Sequence, residues 1–150
     1  MIEVELGSDA DTEWAARLMA GSEPWISLGR GLEACRAACR RPDHQLFVAR
    51  AEGEALGFVL AHPKGLAGSP YIAAVAVTAA ARGQGVGAHL LAHVTAHFRP
   101  QARHLFLFVS SFNSRAQRFY ERHGWQAVGE VPGLLVDGAS EILMHQRLRP

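Results

Sequence analysis

"VTAAARGQGVGAHLL" (Val77–Leu91) joins an apolar run to a helical pattern through an arginine and three glycines at alternate positions. A strand that enters a helix this way gathers several backbone N–H groups in one concave place. The first N–H groups of a helix have no partner inside it, and the macrodipole adds partial positive charge there. Phosphate is the natural occupant of such a place. An ordinary turn needs one glycine. Gly83, Gly85 and Gly87, directly behind Arg82, point to a backbone kept clear for an anion. No Lys-Ser or Lys-Thr follows them, which excludes the Walker pattern. Gly83, Gly85 and Ala88 do satisfy G-x-G-x-x-A, the dinucleotide fingerprint. That fingerprint expects an acid about twenty residues on, and "HLFLFVSS" supplies none.

Working outward, "PYIAAVAVT" before the turn reads as a strand buried on both faces, and "KGLAGS" before it as a flexible loop. Further upstream, His44 to Ala51 and Ala55 to His62 form a hairpin about Gly53. "IEVEL" opens the chain as a short alternating strand. Two helical stretches follow, the first capped by Ser8 or Asp9 and the second ending before Pro42, with a break around Pro24. Downstream of the turn, a helix runs to about Phe98 and is stopped by Pro100. "HLFLFVS" is a strand, and "NSRAQRFYERHG" is a helix capped by Asn113 or Ser114 and ended by Gly124. "WQAVGEV" and "SEILMHQRL" close the chain as an antiparallel pair. The order predicts one mixed α/β domain over residues 1–150, with a mostly antiparallel sheet of about six to seven strands and about four helices.

Composition narrows the functional classes. Hydrophobic content of 49% with a net charge of +1 suits a globular domain and gives no basis for a nucleic-acid or membrane partner. The acidic start lacks an apolar signal region, so the expected compartment is the cytoplasm. Cys35 and Cys39 lie four apart on one helical face, where they read as core. His89, His93 and His97 recur every four residues, but Val86, Leu90, Leu91, Val94 and Phe98 claim the inner face. The histidines therefore read as its border, and no metal site is expected.

Arg82, Gly85 and Gly87 also match R/Q-x-x-G-x-G/A, and Asn113, Ala116, Phe119, Tyr120, Gly124 and Trp125 match N-x-x-A-x-x-F-Y-x-x-x-G-F/W. With both blocks in order, one helix and one strand apart, the chain resembles the GNAT-type N-acetyltransferase superfamily from His44 onward. The resemblance implies the GNAT fold, with its sheet splayed at the cofactor strand, and acetyl-coenzyme A as co-substrate. It implies that Arg82, Gly83, Gln84, Gly85, Val86, Gly87 and Ala88 surround the pyrophosphate. Val75 and Val77 would lie along the pantetheine arm, and Asn113, Ala116, Phe119 and Tyr120 would border the cofactor. Direct attack by a primary amine in a ternary complex is the implied route. The amide of Val77, placed beside the strand's bulge, is the candidate for polarising the thioester, and Tyr120 the acid that protonates the leaving thiolate.

The general base is the gap. Many members of that family carry an acid in the strand before the glycine turn, where this chain has Ala73 and Ala74. Glu130, Glu141, His62 and Ser110 lie near strand ends that could face the cleft. Arg115 and Arg118 read as a solvated helix face or as contacts to coenzyme A phosphates. Trp25 either walls the acceptor side, opposite "VPGLLVDGA", or ties the first helix down. The acceptor is a small-molecule or peptide amine, and homodimers are common in the family. Two rivals stand beside this reading: a non-catalytic acyl-coenzyme A sensor and a dinucleotide-binding protein.

Overall fold

The computed structural model describes Met1–Pro150. Its elements, in chain order, are β1 (Glu3–Leu6), α1 (Asp9–Ala20), α2 (Leu32–Cys39), β2 (Gln45–Ala51), β3 (Glu54–Leu66) and β4 (Ser69–Val77). They continue with α3 (Val86–Phe98), β5 (His104–Ser110), α4 (Ser114–Arg122), β6 (Gln126–Pro132) and β7 (Ser140–Arg147). One seven-stranded sheet runs β1-β2-β3-β4-β5-β7-β6, and only the β4–β5 pair is parallel. A doubly wound dinucleotide fold needs a mostly parallel sheet, so the topology removes that rival. No helix is long and apolar enough to cross a membrane.

Local chemistry accounts for the helix boundaries. Ser8 and Asp11 form a reciprocal capping box: Ser8 Oγ accepts from the Asp11 amide (3.4 Å), and the Asp11 carboxylate accepts from the Ser8 amide (2.8 Å). Asn113 caps α4, its Oδ1 accepting from the Ala116 amide at 3.3 Å. Gly124 follows that helix at φ +87°, the left-handed position that a C-terminal cap requires.

Apolar alternation then sorts the sheet's two faces. Val48, Phe58, Leu60, Ala74 and Ala76 meet Ala15, Ala16, Met19, Cys35 and Cys39 of α1 and α2. The opposite face, from Phe47 across to Leu107 and Met144, packs on Val86, Leu90, Val94 and Phe98 of α3 and on Tyr120 of α4. The two cysteines are thus core, as their spacing implies. His93 and His97 lie against the Phe47 ring, at 5.6 and 5.1 Å between centroids.

The sheet departs from the sequence reading at "KGLAGS". β3 continues through Pro63 to Leu66 and turns at Ala67 and Gly68, both with positive φ, so the segment extends a hairpin and is not a loop. Gly65 permits this. A Cβ there would stand 2.8 Å from Tyr71 Cβ and 2.9 Å from His62 Cβ, so the two strands close only over a bare backbone.

Candidate active site

β4 and β5 pair at two positions only, Tyr71↔Phe106 and Ile72↔Leu107, and then part. The cause lies in β4. Leu60 pairs with Ala74 and Ala61 with Ile72, which leaves Ala73 as an extra residue in a bulge. The bulge also reverses the strand's facing. Ile72 belongs to the α3-side core and Ala74 to the α1/α2-side core, although two residues along a regular strand would share a face.

Beyond the bulge, Thr78 N–H donates to Leu56 O (2.8 Å), and the antiparallel ladder alternates back from there. The main-chain groups of Val75 and Val77 therefore point away from β3, into the opening. From sequence, the amide of Val77 is expected beside the bulge. The bulge lies four residues earlier, at Ala73, while Val77 ends the strand ahead of the 3-10 turn Ala79–Ala81, so of these two amides Val75 is the nearer to the bend.

The three glycines serve two purposes. Gly83 (φ +78°) and Gly85 (φ +83°) hold left-handed backbone that a side chain would strain, and a Cβ on either would meet nothing closer than 3.9 Å. Gly87 is helical, and a Cβ there would stand 2.9 Å from Phe119 Cζ; it allows α3 and α4 to meet. Gly85 is the N-cap of α3 and offers no side-chain cap. His89 is the first amide to bond back, to Gly85 O, so those of Val86, Gly87 and Ala88 stand ahead of it without helical partners. Arg82, exposed and in no ion pair, lies beside them.

The opening is the floor of a cleft of about 1120 Å³. Val75, Val77, Arg82, Gly83, Gly85, Val86, Gly87, Ala88, Asn113, Ala116, Phe119, Tyr120 and Trp25 all line it. Two proposed residues do not. Gln84 turns back, its Nε2 donating to Ala80 O at 3.1 Å. Glu130 is exposed on β6 opposite Ile142, whose side chain packs on the α3 side, so it points away from the face that carries Glu141. Among the base candidates, His62 is outside as well, bonded to Asp43 at 3.2 Å. Glu141 and Ser110 are inside, joined by a hydrogen bond from Ser110 Oγ to Glu141 Oε2 of 2.8 Å. Arg115 lines the cleft and Arg118 does not.

Tyr120 is buried between Phe119 and Trp125, with ring centroids at 5.4 and 5.8 Å. Burial pushes its phenol well above the usual range, which keeps it a proton carrier at neutral pH. Tyr71 carries no signal in the sequence, where a tyrosine leading an apolar strand reads as core. The bulge two residues later places it in the cleft against Phe108, and burial, with the nearby Glu141 charge, pushes its hydroxyl up to about 12.

The acetyltransferase (GNAT) family model matches residues 11–125. The chain is 35% identical over 88 residues to the 5-NmdU N-acetyltransferase of Pseudomonas phage PaMx11, a match that covers 59% of this chain and 61% of that protein's length. Its fold is similar to that of a GNAT-family protein from Desulfovibrio desulfuricans, with TM-score 0.86, 17% identity and coverage of 99% and 100% of the two chains. It is also similar to an aminoglycoside 6'-N-acetyltransferase crystallised with coenzyme A, with TM-score 0.77, 15% identity and coverage of 99% and 98%. The chain belongs to the acetyltransferase (GNAT) family, a family of acyltransferase enzymes.

Proposed function

We propose that the 150 residues act as one domain that transfers the acetyl group of acetyl-coenzyme A to a primary amine in a ternary complex. One observation carries this reading: the unpaired edge of β4 leads, through one 3-10 turn at Ala79–Ala81, to Gly83 and Gly85 at the N-terminus of α3. An open strand edge receives an amide-bearing arm as a further strand would. The free amides at the helix start receive the pyrophosphate at its end. Arg82 supplies a counter-charge, and Arg115 a second one from α4. The relative's name and the neighbour's bound coenzyme A support the same assignment.

In this reading the pantetheine lies along Val75 and Val77, and the thioester sits near the bulge, where an outward amide polarises its carbonyl. Tyr120, held protonated by burial, gives its proton to the departing thiolate. Asn113 spends its Oδ1 on the α4 cap and keeps its amide N–H groups for the cofactor. Coenzyme A supplies the activated acyl group; the protein supplies alignment and proton transfer.

The first test is thermal stabilisation by acetyl-coenzyme A, coenzyme A, NAD and ATP, each at a concentration well above micromolar. Ligand bound only by the folded state raises Tm. The expected result is a shift with the two coenzyme A forms. A shift with NAD and none with coenzyme A refutes the assignment.

A further inference from the structure

The proposed reaction leaves one group in the cleft unexplained. Two carboxylates line it, and the first, Glu23, is occupied: its Oε1 accepts from the Ser27 amide (2.9 Å) and its Oε2 from Ser27 Oγ (2.7 Å). Glu141 is the other. It is 4% exposed, and its hydrogen bond from Ser110 occupies Oε2 alone. A buried carboxylate with a free oxygen on a cleft wall is costly to keep unless something cationic or protic visits it.

Strand alternation gives its direction. Glu141 pairs with Ser110, Leu143 with Phe108 and His145 with Phe106, and this set points to the face on which α1 and α2 lie. Tyr120 and Phe119 approach from the other face. The parting of β4 and β5 thus connects a side holding the acid with a side holding a carboxylate. On the carboxylate's side, Trp25 and Tyr71 give the cleft an aromatic wall, and Leu28 and Leu134 add apolar lining to the cleft.

Resting on the acetyltransferase reading, we propose that Glu141 receives the acceptor's amino group as an ammonium and takes its proton, so that the cleft selects cationic primary amines carried on an apolar body. Burial raises the Glu141 carboxyl above its ordinary value, while the Ser110 hydrogen bond and the Arg30 charge oppose the rise. Tyr71, from β4, is neutral beside it, and Val131 faces it from β6. A carboxylate of raised pKa is a better base toward an ammonium.

The steps balance. One ammonium proton passes to Glu141, and the freed lone pair forms the C–N bond at the thioester carbonyl. The adduct collapses with the C–S bond broken and its electron pair on sulfur. Tyr120 protonates the thiolate and recovers the second proton of the nitrogen, and Glu141 returns its proton to water. Ser110 is a positioning residue: its hydrogen bond favours the charged carboxylate and fixes which oxygen is free.

The test uses butylammonium and benzylammonium, each against its alcohol, as probes of Tm at about pH 7.5, where an alkylamine is charged. Wild type is expected to be stabilised more by each ammonium than by its alcohol. Glu141→Gln is expected to lose that preference and keep the acetyl-coenzyme A shift. Its kcat/KM for the same amines falls about 100-fold. In Ser110→Ala the acidic limb of kcat/KM moves to higher pH, an effect that a purely structural role would not produce. Equal shifts for amine and alcohol in wild type, or a preference retained in Glu141→Gln, overturn the proposal. Should Glu141→Gln not fold, a wild-type ammonium preference that disappears on acidification carries the same information, and one that persists to pH 4 overturns it. An absent acetyl-coenzyme A shift in wild type sinks the acetyltransferase reading instead, while the amine–alcohol comparison still decides whether Glu141 receives an ammonium.

Discussion

The two sides of the cleft are made of different material. Toward α3 the strand edge and turn present backbone, with the side chains of α4 beside them: the outward groups of Val75 and Val77, two glycines in left-handed conformation, and three helix-start amides. Toward α1 and α2 it is side chains: Trp25, Tyr71 and the buried Glu141. A backbone site tolerates many side chains but few changes of φ. A side-chain site can be rebuilt by substitution while the fold stays, which is how one scaffold accepts different acceptors. The difference predicts that changes to the backbone of the first side act on cofactor binding, and that side-chain substitutions on the second act on acceptor use.

The harshest way to break the backbone side is Gly85→Val. At φ +83° a β-branched residue forces the turn to reorganise. Acetyl-coenzyme A affinity should fall by more than about 100-fold, with the fold retained, as calorimetry and circular dichroism would register. Affinity within threefold of wild type would remove the turn from the site.

Next comes Tyr120→Phe, with kcat reduced by about 100-fold and an unchanged acetyl-coenzyme A shift. Because burial raises its phenol, the acid form persists above the ordinary tyrosine value of about 10. The wild-type kcat should not decline through loss of this proton below about pH 10. An alkaline limb below pH 9 that Tyr120→Phe abolishes would contradict the role of burial.

Gly87→Ala sharpens the distinction among the glycines. It leaves φ unstrained and pushes a methyl into Phe119, so stability falls by about 1–3 kcal/mol as Phe119 moves. A chemical-denaturation midpoint equal to wild type would show that α4 yields freely.

The smallest effect lies off the cleft. Burial disfavours the Asp11 charge, but Arg50 at 2.5 Å and the Ser8 amide outweigh it and hold the carboxyl below its ordinary value. A depressed pKa stabilises the fold above the unfolded value and is lost as pH falls through the folded one. Asp11→Ala should therefore lose about 1 kcal/mol at neutral pH, with the gap from wild type narrowing below pH 4 and acetyl-coenzyme A binding unaffected.

The same contrast governs what the amino-acid sequence makes legible. The glycine turn, the α4 block, the Ser8 and Asn113 caps and the strand order are local patterns, each enforced by backbone geometry over a few residues. They led to the family and to most of the lining on the α3 side. The α1/α2 side resisted. Glu130 and Glu141 are both glutamates in the closing strand pair, and nothing in their neighbours ranks them. Their difference arises from register: pairing with Ile142 turns Glu130 to one face, and pairing with Ser110 turns Glu141 to the other.

Thus the chain alone determined the order of elements, the glycine turn and the family block, because helix caps, glycine φ and apolar period act within one stretch of residues. Only the tertiary structure decided where β4 bends, which face Tyr71 and Glu141 occupy, and that Gly87 is spaced for Phe119. Those depend on one extra residue at Ala73 and on pairings between segments far apart in sequence, where a shift of one position reverses every side chain.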